Sequence, residues 1–64
     1  MEQERRAMAS SAELAAYLNV SRRTVETWAV RGTGPRYARI GRHRRYRWAD
    51  VDEWLTQRTS VGAA

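Results

Sequence analysis

The chain has 64 residues and a formal net charge of +5, from twelve basic and seven acidic side chains. A chain this short buries only about 60% of the surface its unfolded form exposes, so one small core of marginal stability is all it can build. It has no cysteine and a single histidine, which excludes a disulfide framework and a zinc shell and suits a reducing compartment.

The charge is concentrated rather than spread. Residues 20–47 hold nine arginines against Glu26 alone, a net +8, whereas residues 1–19 carry −1 and residues 48–64 carry −2. A dense basic stretch between near-neutral flanks is the electrostatic footprint of a phosphate-binding surface. All twelve cations are arginine. That choice favours forked hydrogen bonding to phosphate or guanine, and base composition of the genome accounts for it equally well.

Residues 1–9 mix charges and small side chains without a period, and read as a flexible N-terminal arm. The fold is predicted to start at Ser10, where Ser10-Ser11-Ala12-Glu13 forms a capping box. A short helix to Leu18 follows, with Leu14, Ala15, Tyr17 and Leu18 at helical spacing and Asn19 suited to the left-handed residue that ends it. Val20 is expected to pack inward. Ser21 then caps a second helix, Arg22 to about Arg31, which Gly32 stops. At about 1.5 Å per residue this helix is roughly 15 Å long, enough to lie in one major groove. Val25, Trp28 and Ala29 share a face that packs on the first helix, which turns Arg22, Arg23, Glu26, Thr27 and Val30 outward.

After Thr33-Gly34-Pro35, the segments Tyr37 to Ile40 and Arg44 to Arg47 are extended candidates joined by a turn at Gly41-Arg42-His43. Two strands alone are unstable, so Ile40 and Tyr46 are expected to anchor the hairpin to the helices. Trp48 to Leu55 closes the fold as a third helix, apolar at Val51, Trp54 and Leu55, with acids in its first turn where the helix dipole favours them. The reading is therefore mainly α with a small β-hairpin, a domain over 10–55 between the arm 1–9 and a C-terminal tail 56–64. Its core is expected to be Leu14, Leu18, Val20, Val25, Trp28, Ile40, Tyr46, Val51, Trp54 and Leu55.

Two helices joined by a tight turn and followed by a basic hairpin form a winged helix-turn-helix. The pattern Glu13-Leu14-Ala15-Ala16-Tyr17-Leu18-Asn19-Val20-Ser21-Arg22-Arg23-Thr24-Val25 through Trp28, then Gly34-Pro35, Ile40-Gly41-Arg42, Arg45-Tyr46-Arg47, Asp50-Val51 and Trp54-Leu55 resembles the excisionase-like, MerR-type winged helix-turn-helix DNA-binding family of phages and bacteria. The resemblance covers about residues 8–55. It departs from the family at Arg47, a poor helix cap where a small polar residue is common. It implies that the second helix enters the major groove of double-stranded DNA while the wing contacts backbone or the adjacent minor groove.

The candidate DNA contacts on the recognition helix are Ser21, Arg22, Arg23, Thr24, Glu26, Thr27 and Arg31. Free N–H groups and the positive dipole end at Ser21-Arg22-Arg23-Thr24 attract phosphate, and Arg22 or Arg23 can make two parallel bonds to a guanine. Thr27 can meet a thymine methyl or a phosphate and Glu26 a cytosine; the alternative for both is a solvated surface near Arg22, Arg23 or Arg31. On the wing the candidates are Arg39, Arg42, His43, Arg44 and Arg45, a cluster that repels itself unless a polyanion is near. Strand alternation leaves two or three of them to touch phosphate.

Other chemistry finds no footing in the sequence. One histidine without cysteine fills no metal site, Asp50, Asp52 and Glu53 sit together without another ligand type, and no Gly-Lys-Ser/Thr follows a glycine. No enzyme activity, metal or cofactor is expected. No apolar run approaches a membrane span and no signal-peptide core is present, so residence in a bacterial host cytoplasm, at the nucleoid, is expected.

Three functions remain: an excisionase, or recombination directionality factor; a small transcriptional regulator of the same fold; and a nucleic-acid-binding or interaction module with little sequence preference. MerR-type regulators that sense ligands carry a long dimerisation helix and an effector domain, whereas nine residues follow Leu55 here. One module buries only about 600–1,000 Å² on DNA, so further copies, head to tail on tandem sites, are expected as partners. A site-specific integrase is the other partner implied by the resemblance. These points favour the excisionase.

Overall fold

In the computed structural model, which describes residues 8–59, the elements run α1 (Ser11–Leu18), α2 (Arg22–Arg31), β1 (Ala38–Ile40), β2 (His43–Arg45) and α3 (Trp48–Arg58). Local side-chain chemistry sets the first two helices. The Ser10 hydroxyl accepts from the Glu13 N–H at 3.0 Å and the Glu13 carboxylate accepts from the Ser10 N–H at 2.9 Å, so the capping box satisfies two donors that a helix start leaves over. Asn19 ends α1 at φ 59°, and the Val20 N–H returns to the Ala15 carbonyl at 2.9 Å. Gly32 ends α2 in the same way at φ 73°, with the Thr33 N–H on the Trp28 carbonyl at 3.0 Å.

The hairpin pairs Ala38 with Arg45, Arg39 with Arg44 and Ile40 with His43. Its turn is therefore the two residues Gly41-Arg42, one shorter than the sequence suggests, and His43 belongs to the strand. Gly41 alone has positive φ, at 67°, which is the type II′ geometry that matches strand twist. The flanking chain contributes a third edge. Ala9 and Tyr46 exchange both backbone hydrogen bonds at 2.8 Å, so Ala9, predicted as part of the arm, belongs to the fold. Residues 1–7 and 60–64 lie outside the described residues.

The core is Ala9, Leu14, Ala15, Val25, Tyr46 and Val51, with Leu18, Trp28, Trp48 and Leu55 packed half-buried around it. Three expected members, Val20, Ile40 and Trp54, are absent from it. Val20 is 37% exposed and Ile40 54% exposed; Val20 lies in the turn between helices and Ile40 immediately precedes the hairpin turn. Tyr46 holds the wing instead, with Tyr37 at 5.7 Å between ring centroids. Trp54 is half-buried, its ring tilted 48° against that of Trp28 at 5.1 Å, and it donates its indole N–H to the Thr33 carbonyl at 3.1 Å. Trp48, unassigned by the sequence reading, packs against the core and meets Tyr17 edge-on at 5.0 Å.

α3 is preceded by Arg47, which offers no side-chain cap, and runs three residues beyond Leu55. No glycine or proline interrupts it there, and the Thr56 and Thr59 hydroxyls donate to the Asp52 and Leu55 carbonyls. The result is a mainly α fold with a two-stranded wing, the winged helix-turn-helix class. Among the described residues no helix is long and apolar enough to cross a membrane.

Candidate nucleic-acid interface

An open cleft of about 610 Å³ lies between the starts of α1 and α2 and the wing. Ser10, Ser11 and Ala12 form one lip, Arg22 and Glu26 the second, and Arg39, Arg42, His43, Arg44 and Arg45 the third. The sequence separates Arg22 from Arg44 by two turns and a strand; the fold brings them onto one opening. Arg23, Thr27 and Arg31 lie outside this lining but are exposed on α2. At 100° per residue, Arg22, Glu26, Val30, Arg23, Thr27 and Arg31 fill one half of the helix circumference, opposite buried Val25.

Ser21 caps α2. Its hydroxyl accepts from the Thr24 N–H at 3.1 Å and shares a hydrogen bond with the Thr24 hydroxyl at 2.9 Å, so both hydroxyls already have local partners. The backbone N–H groups of Arg22 and Arg23 sit in the first turn, where a helix supplies no carbonyl to receive them. No acid occupies that turn. Two cations stand where the dipole favours anions, an arrangement that works against the isolated helix and raises the local positive potential.

Glu26 is the acid on this surface, and its carboxylate takes the Arg22 Nε–H at 3.0 Å. The pair runs from cation to acid along α2, the weaker direction for an i,i+4 pair, and both groups are solvated, so it adds little to stability. Its consequence is orientation. With Nε engaged, the two terminal nitrogens of Arg22 remain free for a phosphate or a guanine edge.

The wing arginines divide by what holds them. The Arg45 guanidinium donates to the Arg44 carbonyl at 2.9 Å. Arg44 lies 5.4 Å over the Tyr37 ring, and its buried Nε has no hydrogen-bond partner; stacking on an aromatic face holds the cation without discharging it. Arg39, Arg42 and His43 are exposed. Tyr37 is thus a part of the site that the sequence reading missed, and its aromatic ring five residues before the basic run Arg42-His43-Arg44-Arg45 is the signal that marks it. Burial pushes the Tyr46 phenol above its ordinary range, while nearby Arg44 and the hydrogen bond with Ser11 draw it partly back.

A family model described as a helix-turn-helix domain matches residues 10–59, which spans the cap of α1 through the end of α3. No curated protein matches the chain. Since the matched segment is most of the sequence and contains both helices, the turn and the wing, the chain belongs to the helix-turn-helix domain family, with DNA as the partner that membership implies.

Proposed function

We propose that this protein is a sequence-specific binder of double-stranded DNA and acts as an excisionase, binding tandem sites head to tail, bending the duplex and directing a site-specific integrase toward excision. The observation that carries the DNA-binding reading is the shared opening of the α2 start and the wing, with Arg22, Arg39, Arg42 and Arg44 around it. A ridge that fits a groove beside a basic hairpin suits base contacts from α2 and phosphate contacts from the wing, which together fix register and read sequence. The protein positions DNA and performs no chemistry on it.

The excisionase role is supported by the ordered resemblance from Glu13 to Leu55 and by the size of the surface. One such module buries about 600–1,000 Å², too little for useful specificity alone. Head-to-tail contact repeats along DNA without closing and permits bending.

Selection from random duplexes of about 40 base pairs, four helical turns, at physiological salt tests this, followed by footprinting and a bend assay. Enrichment of direct repeats with a continuous, bent footprint supports the excisionase. A single or inverted site would favour a transcriptional regulator, and no enrichment would leave only non-specific binding.

A further inference from the structure

Val30 is the most exposed large apolar side chain among the described residues, at 77%, and it is neither in the core cluster nor among the residues packed half-buried against it. It stands at the middle of the outward half of α2, with Arg23 and Glu26 on either side of its angular position. Every other member of that half is polar. Valine is a poorer helix former than alanine at a solvent-facing position, so the free protein gains nothing from it here. Its single preferred rotamer in a helix holds the two methyl groups in place, so little freedom is lost on docking. A rigid apolar knob in the centre of a polar, cationic ridge fits the one apolar group that the major groove displays, the 5-methyl of thymine.

We infer that Val30 is a specificity-determining residue that reads a thymine methyl, an assignment that rests on the proposal that α2 reads the major groove. Val30 lies seven residues beyond Arg23, about 10.5 Å along the helix axis. At about 3.4 Å per base pair, and allowing for the slope of the groove, the thymine falls roughly two to three base pairs from the base that Arg23 faces. Arg23 supplies the forked contact to a guanine at one end of the ridge, and Val30 the apolar contact toward the other.

The test uses the full chain and the duplex recovered by selection. Each thymine is replaced singly by deoxyuridine, which removes only the methyl group, and Kd is measured for the wild type, Val30→Ala and Val30→Thr. At one thymine, loss of the methyl is expected to weaken the wild type about fourfold, the worth of about one buried methyl, and to leave Val30→Ala unchanged. Val30→Thr keeps a methyl at the same branch point and retains part of the sensitivity. Cooperative thermal melts, Val30→Ala at or slightly above the wild type and Val30→Thr near it, establish that the fold is unaffected. A site with no thymine methyl that matters, or one that matters equally to wild type and Val30→Ala, overturns the assignment while groove reading stands. Loss of all preference among duplexes overturns groove reading and the assignment together.

Discussion

Gly34 lies in the link from α2 to the wing, and a β-carbon built on it would sit 2.9 Å from the Trp28 β-carbon. Carbon atoms in contact prefer about 3.5–4.0 Å, so Gly34→Ala requires a shift of roughly half an ångström or more. The atom it meets cannot swing aside, because the Trp28 β-carbon is carried by the α2 backbone and its ring packs against Trp54. Trp54 is tied in turn to the Thr33 carbonyl, one residue from the new side chain. Overpacking of this kind costs about 1–3 kcal/mol. Against a total of about 3–10 kcal/mol for a chain of this length, that is a large fraction. Each kcal/mol lowers Tm by about 4–8 °C in so small a domain, so far-UV circular dichroism with tryptophan fluorescence resolves the effect. Gly32 is the control: a β-carbon there meets nothing within 4 Å, but φ is +73°, so Gly32→Ala pays left-handed strain and Gly32→Asn recovers much of it. A Gly34→Ala melt within a degree of the wild type would refute the packing argument.

Arg47→Ser gives α3 the cap it lacks. The Arg47 backbone at φ −81°, ψ 135° lies in the same region as the serine caps of α1 and α2, so stabilisation of about 0.5–2 kcal/mol is expected, and an unchanged or lower Tm would contradict it. Arg42→Ala, at the exposed hairpin turn, removes one phosphate contact and is expected to flatten the slope of log K against log salt by about 0.9; an identical slope takes Arg42 out of the interface. The Tyr46 phenol is held above its usual value by burial, so the folded state retains its proton more strongly than the unfolded one. That contribution is complete below pH about 10 and is lost as pH rises through the folded value, with the unfolded chain deprotonating first. Tyr46→Phe is accordingly expected to lose less stability than the wild type on going to strongly alkaline pH, and parallel declines in urea-unfolding titrations would contradict this.

The first two helices were legible because their ends are written in local chemistry, whereas α3 has no side-chain cap and runs past its predicted end. Ser10 with Glu13, Asn19, Ser21 and Gly32 each satisfy a specific backbone requirement within five residues, and the structure uses each in that role. The hairpin register was not legible. His43-Arg44-Arg45 has no apolar alternation to mark which face is buried, and the two-residue turn follows from the pairing of Ile40 with His43, which Gly41-Arg42-His43 does not announce. Ile40 and Val20 are apolar yet exposed, since apolar identity does not force burial, and Ala9 is buried through a backbone pairing that no side-chain pattern announces. The charge asymmetry located the candidate surface, but the coupling of Arg22 to Glu26 and of Arg44 to Tyr37 depends on rotamers and on contacts that spacing alone leaves open.

The most direct test of the central claim is titration of isotopically labelled protein with the selected duplex, followed in an amide proton–nitrogen correlation spectrum. The largest shifts are expected at residues 21–31 and 39–45, with the exposed side of α3 around Glu53 and Gln57 little changed. Shifts centred instead on α3 or on the Tyr17 face, with α2 and the wing quiet, would contradict the assignment of the DNA-binding surface.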